Sequence, residues 1–208
     1  MLLNYPRTAV LTPGAPMPAR NELLRAALKS AASALKEHGP RFTLAGSYAL
    51  WVFGAPEPVH DVDFIVAEAD TESAATTLAK AGFAIERTPE DWLFKAHLDD
   101  VVVDVLHQIN GTPVVDDDLD RAQEHDVLAI RMPVLPPTLV VTQKLRALGE
   151  HYCDFTSLLP AVRAVRERVD WDEIRSATSD NDFAAAFLLL VDRLAISTPT
   201  PSIDEEKE

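Results

Sequence analysis

Residues Leu44–Val66 read "LAGSYALWVFGAPEPVHDVDFIV". One apolar run ends in Gly46-Ser47, and the next begins with two aspartates one residue apart, Asp61 and Asp63. Alternate side chains of a strand share a face, so these two carboxylates project together. In a half-buried place they repel each other, and they persist as anions only with a cation between them or water close by. Hard oxygen donors of this kind suit Mg²⁺, completed by substrate phosphate and water.

A third acid lies in the same kind of setting. "VVVDVLHQ", residues 101–108, places Asp104 inside a Val-rich strand, with Val103 and Val105 facing the other way. If that strand lies beside the Asp61 strand, three carboxylates converge. Two Mg²⁺ ions bridged by such a trio would activate an attacking oxygen and stabilise a leaving pyrophosphate. Gly46 permits a tight strand-to-helix turn. The first free amides of the helix, with the Ser47 hydroxyl, then form an anion site. Each feature also has an ordinary reading. Gly-Ser is common, Asp-x-Asp often marks a turn or a solvated face, and a lone strand acid can block edge pairing. It is their combination in this order that points to a metal-bound polyphosphate.

Working outward, Pro18–His38 carries Leu23, Leu24, Ala27, Leu28, Ala31, Ala32 and Leu35 at three- and four-residue spacings. This predicts an amphipathic helix, with Asn21 as cap and Gly39-Pro40 as stop. "RFTLAG" is a short strand, and "SYALWVFG" a helix from Ser47 to Gly54. "TESAATTLAKAG" is a helix capped by Thr71 and stopped at Gly82. "FAIERT", "DWLFKAHL" and "VVVDVLHQ" are strands, the last two joined by a hairpin turn at Asp99-Asp100. "DVLAIRMPVLP" is one more short strand. Beyond Pro136-Pro137 the pattern is helical, broken or kinked at Pro160, and a later helix opens at Asp170 or Asp172. Leu188–Leu190, Val191 and Leu194 are expected to face the core of the last one.

The expected class is α+β: a mixed β-sheet flanked by helices, followed by a C-terminal helical bundle. The expected division is an irregular arm (1–17), an α/β core (18–135), a helical region (136–197) and an acidic disordered tail (198–208). Trp51, Phe53, Trp92 and Phe94 are expected to pack in the core or at its edge, although an aromatic lining a purine slot is an alternative.

Composition removes several classes. The single cysteine, Cys153, excludes an intrachain disulfide framework and a Cys-rich zinc site. No apolar run approaches the ~18 residues that span a bilayer. No signal peptide is visible, so a cytoplasmic protein without membrane contact is expected. A net charge of −14 disfavours general nucleic-acid affinity.

"LAGSYAL…HDVDFIV…VVVDVLH" resembles the Gly-Ser…Asp-x-Asp…Asp signature of the DNA polymerase β-like nucleotidyltransferase superfamily. "LPPTLVVTQKLRALGEHYCDFTSLL", residues 135–159, resembles the helical segment of its AbiEii and MenT-type toxin branch. The resemblance implies transfer of a nucleoside monophosphate from an NTP to an acceptor hydroxyl, with Mg²⁺, two ions being expected. It implies that Gly46 and Ser47 bind the triphosphate, that Asp61 and Asp63 hold the metals, and that Asp104 is the third carboxylate beside the acceptor hydroxyl. It also implies that Lys144 approaches the triphosphate and that Asp154 completes the pocket. In several toxin-like relatives the acceptor is the 3′ end of tRNA, and a cognate antitoxin would be a protein partner. The alternative acceptor is a small molecule, as in antibiotic-modifying relatives, or a protein hydroxyl, and a catalytically silent nucleotide-binding module is a third alternative. His60 and His151 stand where many relatives place other polar or basic residues.

Overall fold

The computed structural model describes residues 19–197. The expected N-terminal arm and acidic tail lie outside them. The elements are α1 (Arg20–His38), β1 (Thr43–Leu44), α2 (Gly46–Val52), β2 (Asp61–Ile65), α3 (Thr71–Lys80), β3 (Ala84–Arg87), β4 (Leu93–Leu98) and β5 (Val101–Leu106). A small hairpin of β6 (Gln108–Ile109) and β7 (Thr112–Pro113), a one-turn α4 (Asp116–Leu119), β8 (Gln123–Val127) and β9 (Ile130–Val134) follow. The chain continues as α5 (Pro137–Arg146), α6 (Phe155–Val165), α7 (Trp171–Ala177) and α8 (Asp182–Arg193).

Seven strands form one mixed sheet in the order β3-β4-β5-β2-β1-β9-β8. β2 runs parallel to β5 and β1 parallel to β9, while the remaining pairs are antiparallel. Strand alternation sorts the residues of the two central strands. Val62, Phe64, Val103 and Val105 are fully buried on one face, where α1 and α3 pack. Asp61, Asp63 and Asp104 point to the other face, beneath α2 and α5. The stripe expected for α1 is the buried one: Leu24, Ala27, Leu28, Ala31, Ala32 and Leu35 are each at most 1% exposed. Burying such a stripe, rather than local propensity, is what holds a helix of this kind on its sheet.

Several local expectations are corrected. The N-cap of α1 is Ala19, one turn bound back by the Glu22 carboxylate, and not Asn21. Asp70, not Thr71, occupies the N-cap position of α3. Residues 126–136 are not a single strand. Leu128 and Ala129, with φ of 50° and 67°, turn the chain between β8 and β9. Positive φ at both turn residues is the type I′ pattern of a two-residue hairpin, and here neither is the usual Gly or Asn. Pro160 does not end α6, which runs on to Val165. The removed amide costs one bond, and burial of Leu158, Val162 and Val165 carries the helix past it. The real interruption lies at 147–154, where Gly149 and Tyr152 exchange backbone hydrogen bonds. On α8, Leu188 and Val191 are buried as expected, whereas Leu189 and Leu194 are exposed. No described helix is long and apolar enough to cross a membrane.

Candidate active site

The parallel register of β2 and β5 sets Asp63 directly beside Asp104, with Asp61 one step earlier on the same face. One carboxylate oxygen from each of Asp61, Asp63 and Asp104 lies within 4.8 Å of the others. Unit charges at that spacing repel by about 3 kcal/mol per pair at an effective dielectric of about 20. The fold therefore concentrates negative charge where a cation would relieve it.

The Gly46 turn is built against this cluster. Its φ is +57°, and a Cβ there would stand 1.8 Å from Asp63 Oδ2 and 2.5 Å from its Cγ. Glycine is required twice over, for the left-handed backbone and for the approach of Asp63. Burial first, then repulsion from Asp61 and more weakly from Asp104, pushes the Asp63 carboxyl up to about 7; Lys144 and the Ser47 amide pull the other way. This carboxyl is at the edge of holding a proton unless a cation arrives.

Asp104 has a partner that the sequence reading missed. Lys95 Nζ donates to both its oxygens, at 2.9 and 3.1 Å, from the neighbouring strand. Burial raises the Asp104 carboxyl above its usual range, and the Lys95 ammonium opposes that rise. The signal was present in the hairpin. A turn at Asp99-Asp100 pairs Leu98 with Val101, and counting back puts Lys95 opposite Asp104. A lysine in an alternating strand reads as a solvated face, so the register was not followed that far.

The loop leading into Asp61 is tied to α1. Arg20 donates to the carbonyls of Val59 and His60, and Arg25 forms a bidentate pair with Glu57 at 2.6 Å. These bonds fix the entry of β2, and so the height of Asp61, through long-range contacts that no local motif announces. The His60 and His151 side chains are exposed.

Lys144 sits half-buried on α5, flanked by buried Val140, Val141, Leu145 and Leu148. It lines a small cavity of about 80 Å³ together with Ser47, Asp154 and Ser157. Asp154 is the N-cap of α6 and accepts from the amides of Thr156 and Ser157; contacts from the Ser157 hydroxyl and these amides hold its carboxyl below the usual range. It therefore shapes this wall as a capping residue. A larger cavity of about 740 Å³ adjoins the small one, sharing Lys144 and Tyr152, and is lined by Gly46, Asp63, Trp92 and Gln143 among others. Trp92 is thus neither core nor edge packing. It is 41% exposed at this cavity, whereas Phe94 is fully buried.

The cluster fits a divalent cation on three observations of this chain. It offers only hard carboxylate oxygens, the oxygens converge, and the Gly46 turn leaves room for Asp63 beside the first amides of α2.

No protein-family model matches the chain, and no curated protein matches it in sequence. Solved structures do match in three dimensions. The antibiotic-resistance factor ANT(2″)-Ia superposes with a TM-score of 0.59 at 11% identity, over 84% of this chain and 98% of that one. The same protein in complex with adenylyl-2″-tobramycin gives 0.54 at 11% identity, over 80% and 97%. An antigenic nucleotidyltransferase-like protein from Paracoccidioides brasiliensis gives 0.51 at 12% identity, over 90% and 97%. With its mixed sheet, flanking helices and C-terminal helices, the chain has a nucleotidyltransferase-like fold.

Proposed function

We propose that this protein is a magnesium-dependent nucleotidyltransferase that moves a nucleoside monophosphate from an NTP to an acceptor hydroxyl. The observation that carries the reading is the meeting of Asp61, Asp63 and Asp104 at the Gly46-Ser47 turn. In this reading Asp61 and Asp63 hold Mg²⁺, with Asp104 as the third ligand. When bound, the ion supplies Lewis-acid polarisation of the phosphoryl oxygens and lowers the cost of the converging charge.

The chain's own groups have separate tasks. Ser47, the first amides of α2 and Lys144 receive the β- and γ-phosphates, and Asp154 keeps the start of α6 in place behind them. The acceptor oxygen attacks the α-phosphorus while the bond to the bridging oxygen of the β-phosphate breaks, and pyrophosphate leaves with that electron pair. The acceptor proton passes to a carboxylate oxygen of Asp104. Lys95 fixes that carboxylate on the face from which the acceptor must approach. Placement and charge complementarity of this kind supply most of the catalysis in phosphoryl-group chemistry.

For the acceptor, the resemblance of residues 135–159 to the AbiEii and MenT-type branch supports RNA, with the 3′ end of tRNA as the leading case, and with it a toxin role and an antitoxin partner. A second reading is favoured by a specific observation. The chain carries a net charge of −14, which attracts cationic small molecules rather than phosphate backbones, and the ANT(2″)-Ia fold neighbour was solved with an adenylylated aminoglycoside. Incubation with each α-³²P-labelled NTP, Mg²⁺ and either total RNA or an aminoglycoside panel separates them. Label on RNA supports the first, and label on a drug supports the second. Label that moves to neither, with no pyrophosphate released, refutes transfer to both.

A further inference from the structure

Among the described residues, two aromatic side chains are exposed: Trp92 at 41% and Tyr152 at 63%. Both line the same cavity of about 740 Å³, which also reaches Gly46, Asp63 and Lys144. They come from different parts of the chain. Trp92 precedes β4 and is fixed by its carbonyl, which accepts from the His107 and Gln108 amides. Tyr152 follows α5, in the turn closed by its two backbone bonds to Gly149. Ile65 and Leu106 extend the cavity along the carboxylate face of β2 and β5, past the paired Asp63 and Asp104. Gln108, Asn110, Gln143 and Glu90 add polar groups to it.

We infer that this cavity holds the nucleobase and ribose of the NTP, with the base stacked on Trp92 and Tyr152 and its edge met by the Gln143 carboxamide. The inference rests on the reading of Asp61, Asp63 and Lys144 as the triphosphate site. The cavity shares Lys144 and Tyr152 with the small cavity at Ser47, Asp154 and Ser157, which Leu148, Leu158 and Ala161 also line. A phosphate chain lying at Lys144 thus has the Ser47 and Ser157 hydroxyls at one end for its outer phosphates, and the larger cavity with Trp92 at the other for its nucleoside, with Tyr152 between them. Flat π-faces and a carboxamide suit a heterocyclic base, which stacks on aromatic rings and pairs with Asn or Gln through its polar edge. Asp104, beside which the acceptor reacts, does not line the cavity, so base and acceptor do not compete for the same lining.

The test is calorimetric binding, with Mg²⁺, of the α,β-methylene analogues of the four ribonucleoside triphosphates and of inorganic tripolyphosphate. At least one analogue is expected to bind wild type tenfold or more tighter than tripolyphosphate. Trp92→Ala and Tyr152→Ala are each expected to weaken that analogue roughly five- to a hundredfold; Trp92→Ala leaves tripolyphosphate unchanged, and Tyr152→Ala, whose ring also lines the cavity at Ser47, weakens tripolyphosphate less than it weakens the analogue. Trp92→Phe and Tyr152→Phe should restore most of the affinity, which separates stacking from loss of fold. Analogues no tighter than tripolyphosphate, or unaltered by the alanine variants, would overturn the base site while the triphosphate site stands. An equal loss for tripolyphosphate would overturn the stacking role. Failure of every analogue and of tripolyphosphate to bind would bring down the triphosphate site and this inference with it.

Discussion

Replacing Gly46 by alanine places a methyl group 1.8 Å from Asp63 Oδ2, 2.5 Å from its Cγ and 2.8 Å from its Cβ. Two costs follow. Holding a non-glycine residue at a φ of +57° costs about 1–2 kcal/mol. Relieving the overlap, by turning Asp63 away or shifting β2, costs about 1–3 kcal/mol more. For a chain of 208 residues, the sum of about 2–5 kcal/mol lowers Tm by roughly 5–20 °C. The two parts are separable by a double-mutant cycle in urea, with Asp63→Gly as the second change, because it deletes all three clashing atoms. In that background Gly46→Ala should cost only the backbone part, leaving a coupling of about 1–3 kcal/mol between the two positions. If Gly46→Ala costs the same with and without the Asp63 side chain, the close approach is not real, and the turn is not built around that carboxylate.

Other consequences follow from the same cluster. Because the Asp63 carboxyl is raised to about 7, the folded protein binds a proton there more tightly than the unfolded chain. Metal-free stability is therefore lost as pH rises from the ordinary carboxylate range through 7; Asp63→Asn should remove that loss, raising stability above pH 7 by at most about 4 kcal/mol, and Tm with it, while abolishing nucleotidyl transfer. A Tm profile with pH that is the same for both proteins would contradict this. Lys95→Met leaves the Asp104 carboxylate without its ammonium and should cost about 1–3 kcal/mol. Adding Asp104→Asn should recover most of this in chemical denaturation without recovering activity. Asn181 caps α8 and donates to the carbonyls of Arg146 and Leu148, so Asn181→Ala should lose about 1–2 kcal/mol and show faster amide exchange at 147–152, where the wall bearing Tyr152 is anchored.

The parts of this site that could be read in the sequence are those governed by short periods. A two-residue repeat places Asp61 with Asp63, a Val-rich run carries Asp104, and Gly46 stands at a strand-to-helix junction. What was illegible depends on distant pairing. Arg20 and Arg25 act on a loop 32 to 40 positions away in the chain, so no local pattern could disclose them. The Leu128-Ala129 turn lacks the residues that usually signal positive φ, and β8 and β9 were merged as a result. Trp92 and Tyr152 sit in irregular segments, where neither helical nor strand periodicity tells an aromatic facing a cavity from one facing the core. Lys95 lies between these cases, since the predicted hairpin already contained its register.

A crystal structure grown with Mn²⁺ and an α,β-methylene NTP tests the central claim most directly. The account predicts an anomalous peak ligated by Asp61 and Asp63, with the outer phosphates at the Gly46-Ser47 end of α2 near Lys144. Manganese and triphosphate bound elsewhere, for example in the cavity of about 470 Å³ beside Arg41 and Lys36, with the three carboxylates left bare, would contradict it.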